Sequence, residues 1–269
     1  MYNYLIDRIK KLYTYERRIF YYGPFDKNAL LASIDKLHRV PETLQPVIPA
    51  KKFEQHITRE NTVLFVPYDA NQINFAMVSN RGEKFDPNLI PIVRLYNTYF
   101  GGGMSSIVFQ EMREARGLAY SAWARLFEPS RLDQAYTFQS FIATQNDKMD
   151  EAAQAFLELI NYMPESENAF DIAKESIITN LRTQRVTRAG VIWNYIDAQE
   201  MGLNYDRSKI IFENVQDMTL EDVKRFQEEH IKNRMYTFCI LGRERDLDFR
   251  AMANYGRIRK LSLADIFGY

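Results

Sequence analysis

Three histidines, His38, His56 and His230, are the only imidazoles in the chain, and no two of them lie at the spacing of a zinc chelate. The nearest approach is Phe226-Gln227-Glu228-Glu229-His230, which has the Glu and the second His of a helical His-x-x-Glu-His site but Phe226 in place of the first ligand. A phenyl ring has no lone pair to give a metal, so this segment reads as ordinary helix surface. Nucleophilic chemistry finds no Gly-x-Ser-x-Gly elbow, and the lone cysteine, Cys239, sits within the apolar run 235–241, where a buried structural thiol is expected. The run Gly101-Gly102-Gly103-Met104-Ser105 precedes a helical pattern, and free amides at a helix start can hold an anion. It lacks the Lys-Ser/Thr of a phosphate loop and the spacing of a dinucleotide loop. A tight turn between helices, or close approach of backbone to a bound peptide, explains these glycines better.

The elements that would position such groups follow from periodicity. Leu5, Ile6, Ile9, Leu12 and Tyr13 recur at helical spacing, Ile19–Tyr22 before Gly23-Pro24 reads as a strand, and Asp26 caps a helix carrying Leu30, Leu31, Ile34 and Leu37. One strand between two helices has no ladder partner, so residues 1–40 are expected to be the end of a preceding domain. Pro41, Pro46 and Pro49 mark a stiff linker over 41–52, and 53–269 is expected to form a complete domain.

In that domain, strands at 62–68 and 72–79 flank the turn-prone Asp69-Ala70-Asn71 at hairpin spacing. Helices follow at 87–100 and 105–116, then aromatic strands at 118–127 and 134–144 close enough to pair antiparallel. The stretch 148–229 is mostly helical, its last helix announced by Thr219 and Asp222, an Asp variant of the capping box, before a strand at 235–241. The fold class is α+β, a mainly antiparallel sheet with helices on one face. Trp123 and Phe127 are expected in the core.

Thirty-five basic residues balance thirty-five acidic ones, so no net field draws the chain to nucleic acid. No apolar run is long enough for a membrane span, and the first residues lack a signal-peptide core. Any targeting signal is expected upstream of Met1, which leaves the compartment unassigned.

The stretch Tyr99-Phe100-Gly101-Gly102-Gly103-Met104-Ser105-Ser106-Ile107-Val108-Phe109-Gln110-Glu111-Met112-Arg113-Glu114-Ala115-Arg116-Gly117-Leu118-Ala119-Tyr120-Ser121 strongly resembles the second half of M16 peptidases, the insulinase, pitrilysin and processing-peptidase group. Tyr21-Tyr22-Gly23-Pro24 and Ile240-Leu241-Gly242 resemble the endings of two successive M16 domains. The resemblance implies two lobes of paired α+β domains closing around a peptide, with zinc held in the first domain. Here the zinc motif is absent, so the chain alone is expected to be inactive, with zinc in a missing N-terminal half that is either covalently joined or a separate chain. The partners implied are that half and a peptide or unfolded polypeptide substrate.

By the same resemblance, Arg113 and Tyr120 reach toward the zinc site as auxiliary contacts to substrate and transition state; Gly101, Gly102, Gly103 and Arg116 are expected to contact substrate. The residue types suit such roles: a phenol O–H and a nearby cation are donors for an oxyanion. A helix-end Arg serving the dipole and a packed strand Tyr are the plainer readings. The alternative function is a catalytically inactive structural or adaptor member of the same fold.

Overall fold

The computed structural model describes residues 2–268, which divide into two compact units: one up to Glu54 together with Arg185–Ile196, the other Gln55–Gln184 together with the chain from Asp197 onward.

The first unit contains α1 (Tyr2–Leu12) and α2 (Lys27–Leu37). Asp26 caps α2 as its sequence position suggests, accepting from the backbone N–H groups of Asn28 at 2.6 Å and Ala29 at 3.1 Å. The strand expected at Ile19–Tyr22 is not formed. Aromatic and β-branched residues favour extended backbone there, but no neighbouring ladder satisfies it, and only the single bridge Tyr15↔Gln45 appears nearby. His38 is engaged locally, its Nε2 accepting from Arg17 Nε at 2.8 Å. No residue of α1 or α2 is buried.

In the second unit the order is β1 (Thr62–Pro67), β2 (Ile73–Ser79), α3 (Ile90–Phe100), α4 (Ile107–Phe109) continuing as a π-helical turn over Gln110–Ala115, β3 (Ser121–Phe127), β4 (Thr137–Thr144), α5 (Met149–Asn161) and α6 (Glu167–Thr183). Helix α7 (Arg188–Glu200) crosses the division, with its part from Asp197 in this unit. Then come α8 (Arg207–Val215), α9 (Leu220–Phe226) running into a second π-turn at Gln227–Ile231, β5 (Thr237–Gly242), α10 (Phe249–Ala253), β6 (Arg257–Lys260) and α11 (Leu263–Phe267).

The six strands form one mixed, mostly antiparallel sheet in the order β3-β4-β2-β5-β1-β6. Three ladders are antiparallel, while β1 pairs parallel with both β5 and β6. The hairpin expected between β1 and β2 is therefore not made: β5 inserts between them, with Phe65 beside Ile240 and Ile240 beside Phe75. Short spacing permits a hairpin but does not exclude a later strand from taking the place. Strand β6, nearly all basic, has no strand-like pattern in its sequence and forms as a charged edge along β1.

Alternation divides the sheet faces. Val63, Phe65, Phe75, Met77, Ala124, Leu126, Phe138, Ile142, Phe238 and Ile240 are buried together with helix residues such as Tyr96, Phe156, Ile177 and Phe226. Their neighbours Leu64, Ala76, Cys239, Phe141 and Trp123 lie on the other face. They form one row across five strands, Leu64 beside Cys239, Cys239 beside Ala76, Ala76 beside Phe141 and Phe141 beside Trp123. Trp123 is accordingly not a core residue: it is 36% exposed and stacks on Phe141 with ring centres 6.2 Å apart. Cys239 is half-buried, and desolvation pushes its thiol pKa up, which makes it a poor nucleophile.

Candidate functional site

The segment leading into β3 is held by a chain of local contacts. Ser106 caps α4, its hydroxyl donating to the Gly103 carbonyl at 2.7 Å and accepting from Phe109 N–H at 3.4 Å. The helix then widens by one residue: Arg116 N–H donates to Glu111 O at 3.2 Å, an i to i+5 closure. Fully buried Met112 anchors the turn, and its carbonyl accepts from Leu118 at 2.9 Å and Ala119 at 3.2 Å. Gly117 has φ of 58°, in the left-handed region, which allows the chain to reverse into β3.

This turn brings Arg113 and Tyr120 together. The Arg113 guanidinium carbon lies 5.0 Å from the Phe109 ring centre and 5.7 Å from that of Tyr120, within the range of cation–π attraction. Tyr120 is 71% exposed, and its backbone N–H donates to Ala143 O at 2.9 Å, tying it to the start of the β3–β4 pair. Arg113 also has an ionic contact with its neighbour Glu114 at 3.7 Å. Neither side chain is packed as core. Both are exposed donors that lie beside one another.

Arg116 points elsewhere, to Glu111 at 3.6 Å and Glu158 at 3.4 Å. Gly101 is buried against β3: a Cβ built on it would fall 1.9 Å from the Ala124 carbonyl oxygen. One built on Gly102 would lie 2.7 Å from Asn97 O, and Gly103 adopts φ of 105°. Internal approach and turn geometry thus account for these glycines, which also line a cavity of about 860 Å³ beside β3 with Asn97, Trp123 and Arg125. Asn97 itself pairs its amide with the β3 backbone, donating to Leu126 O at 2.9 Å and accepting from Leu126 N–H at 2.8 Å. Sequence reasoning passed over Arg125 and this cavity. The available signal was alternation in β3, where small or aliphatic Ala122, Ala124 and Leu126 face inward, leaving Trp123 and Arg125 outward.

Among the described residues, no group of three or more His, Cys, Asp and Glu side chains is arranged to hold a metal ion. In the segment that imitates a zinc motif, Phe226 is buried, stacked on His230 with ring centres 4.8 Å apart and packed on Tyr96 at 5.2 Å. His230 Nδ1 lies 3.4 Å from Glu83 Oε2. This segment is thus a packed helix more than a solvated surface, and its residues do not fit zinc. Among the described residues, no helix is long and apolar enough to cross a membrane.

The sequence matches the family profile described as the peptidase M16 inactive domain over residues 2–177. A search of curated proteins finds no match. Among solved structures, the chain is similar to a peptidase M16 inactive domain from Pseudomonas fluorescens at 19% identity and TM-score 0.61, covering 80% of this chain and 50% of that one. It is similar to a protease from Helicobacter pylori at 15% identity and TM-score 0.63, covering 81% and 53%. It is also similar to a ferredoxin protease solved in complex with Arabidopsis ferredoxin, at 15% identity and TM-score 0.59, covering 81% and 24%. The chain thus spans about half the length, or less, of these structures. With a family match extending over more than half of its residues and a six-stranded α+β fold, this chain belongs to the family of peptidase M16 inactive domains.

Proposed function

We propose that this chain is the zinc-lacking part of a zinc metalloendopeptidase, enclosing a peptide substrate and supplying Arg113 and Tyr120 to a zinc site held in another half. The observation that carries the reading is the Arg113–Tyr120 pair: two side chains seven residues apart, brought within 5.7 Å of each other by a π-turn and left exposed. Packed core residues would be buried, and an Arg serving only a helix dipole would have no reason to lie over a strand-entry Tyr. In the complete enzyme the Tyr120 hydroxyl donates to the carbonyl oxygen as it gains charge, and Arg113 orients the phenol or the carbonyl. Zinc, held by the other half, supplies the activated water. Donors placed where charge develops lower the barrier without strengthening ground-state binding.

Residues 1–40 belong, in this reading, to the end of a preceding domain, and 41–52 to the linker. Tyr2, Tyr4, Leu5, Ile9 and Leu12 are each more than half exposed on α1, an apolar stripe of the kind a helix buries against its own domain. The ferredoxin protease structure, similar in fold, is of a protease with a protein bound, which supports a polypeptide as substrate.

The test is reconstitution. This chain, alone and joined to or mixed with the half bearing His-x-x-Glu-His, is assayed for zinc and for hydrolysis of an unfolded polypeptide. Activity is expected only with both halves and is lost on chelation. One zinc bound tightly by this chain alone, with chelator-sensitive hydrolysis, would falsify the reading. A reconstituted pair with zinc but no hydrolysis would assign the chain to a structural role.

A further inference from the structure

The cavity beside β3 has a charge character that the proposed catalytic pair does not use. Of the charged side chains lining it, three are arginines, Arg94, Arg125 and Arg207, and one is Glu128. Arg207 and Glu128 satisfy each other in a close ion pair. Arg94 and Arg125 are exposed and, among the described residues, have no carboxylate partner. The Arg125 guanidinium carbon lies 5.1 Å from the Phe127 ring centre, and among the described residues the guanidinium N–H groups make no hydrogen bond. The guanidinium fork matches a carboxylate in geometry as well as charge.

Size and surroundings argue for a peptide over a small free anion. A volume of about 860 Å³ is near the upper end for ligand cavities, far more than one carboxylate fills. Trp123, stacked on Phe141, forms an aromatic rim at the β3 edge, and Ser176 and Asn180 of α6 with Gln184 just past its end offer amides and a hydroxyl that suit peptide groups. Strand β3 is the edge of the sheet and joins this cavity to Tyr120. At about 3.3 Å per residue, an extended chain passing Tyr120 reaches the level of Arg125 after about five residues.

We infer that the cavity along the β3 edge, beside helices α3, α6 and α8, binds a carboxylate of an extended peptide, with Arg94 and Arg125 as its cations and Trp123 at its rim. This rests on the proposal that the chain encloses peptides, and it adds a preference for acidic ones.

The experiment uses the full chain carrying Trp193→Phe, which leaves Trp123 as the sole tryptophan and its fluorescence as the signal. Three synthetic alanine-serine nonapeptides are titrated: one with an internal glutamate pair and an amidated end, one with a glutamine pair and an amidated end, and one with a glutamine pair and a free terminal carboxylate. At least one carboxylate-bearing peptide is expected to bind about fivefold to tenfold more tightly than the neutral one, as two partly exposed charge pairs allow. Which of them does so identifies a side-chain or a terminal carboxylate as the source. Arg94→Gln with Arg125→Gln should abolish the difference while leaving the melting temperature near that of the parent, and higher salt should weaken it. Equal binding of all three peptides, or a preference that survives the double substitution, overturns the inference. The readout is binding by this chain without zinc or hydrolysis, so failure of the catalytic proposal and failure of this one are read separately.

Discussion

The Arg113 guanidinium carbon sits 5.7 Å from the centre of the Tyr120 ring, although one residue belongs to a π-turn and the other to the entry of β3. Both side chains lie at the surface. In the reconstituted enzyme, Tyr120→Phe removes a hydroxyl and little volume, and the ring can still lie under Arg113. Loss of one transition-state donor is expected to lower kcat roughly a hundredfold to a thousandfold, with much less change in KM. Arg113→Lys should also be harmful because an ammonium lacks the planar fork, whereas Arg116→Lys should be milder. Steady-state kinetics decides: a kcat within about twofold of the parent for Tyr120→Phe would end the catalytic role.

Gly101 is required by its close approach to β3. A methyl group there would fall 1.9 Å from the Ala124 carbonyl oxygen, and backbone, unlike a flexible side-chain tip, cannot swing away. Gly101→Ala is expected to destabilise the second unit by about 1 to 3 kcal/mol through forced backbone movement. Urea denaturation followed by Trp123 fluorescence in the Trp193→Phe background would measure it, and an unchanged midpoint would refute the close packing.

Arg234 has a fully buried side chain, and Glu83 stands 3.5 Å from its Nη2. Its Nε donates to His230 O at 2.7 Å, while Nη1 has no hydrogen-bond partner among the described residues. Burial lowers the guanidinium pKa, and Glu83 counteracts this. Breaking a fully buried pair costs about 3 to 5 kcal/mol. Because Glu83 is partly exposed, Glu83→Gln is expected to cost less, about 1 to 3 kcal/mol. Adding Arg234→Met to Glu83→Gln should recover part of the loss, since the uncompensated charge is then gone. A double variant less stable than the single one would contradict this account.

The capping box of α9 gives a pH-dependent increment. The Asp222 carboxylate accepts from Thr219 N–H at 2.9 Å and from its hydroxyl at 2.8 Å, and these bonds, the backbone one foremost, hold its pKa below 3.8. A depressed carboxylate contributes stability that is complete above the unfolded value and is lost as pH falls through the lower folded value. Thr219→Ala removes the hydroxyl's bonds and leaves the backbone one, so it should cost about 1 kcal/mol near neutral pH, of which the hydroxyl–carboxylate part needs Asp222 ionised. That deficit should shrink as the pH falls below about 3.8. Denaturation curves for both proteins at several pH values test the sign; a deficit that widens in acid would contradict it.

Much of this architecture was legible in linear order. Alternation in 62–68, 72–79, 118–127 and 134–144, helical spacing from 148 to 229 and the Thr219 cap describe local preferences, which a chain expresses wherever it is placed. The missing ligand at Phe226 was equally legible, because a phenyl ring cannot bind zinc in any fold. The stretch from Tyr99 to Ser121 also carried enough pattern to indicate the family.

What lay beyond the linear pattern depends on contacts between distant residues. Whether β1 pairs with β2 or admits β5 depends on burying Phe238 and Ile240 between Val63, Phe65 and Phe75, a competition that spacing cannot score. Ile19–Tyr22 has strand-like residues and no ladder, whereas Arg257–Lys260 has unsuitable residues and a ladder on β1, since strand formation needs a partner more than a propensity. Trp123 reads as core until the pairing with Phe141 places it on the half-open face. The cavity with Arg94 and Arg125 at its edge exists because α3 and β3, some thirty residues apart, meet across Asn97 and Leu126, and a side chain's electrostatic surroundings are set by such meetings.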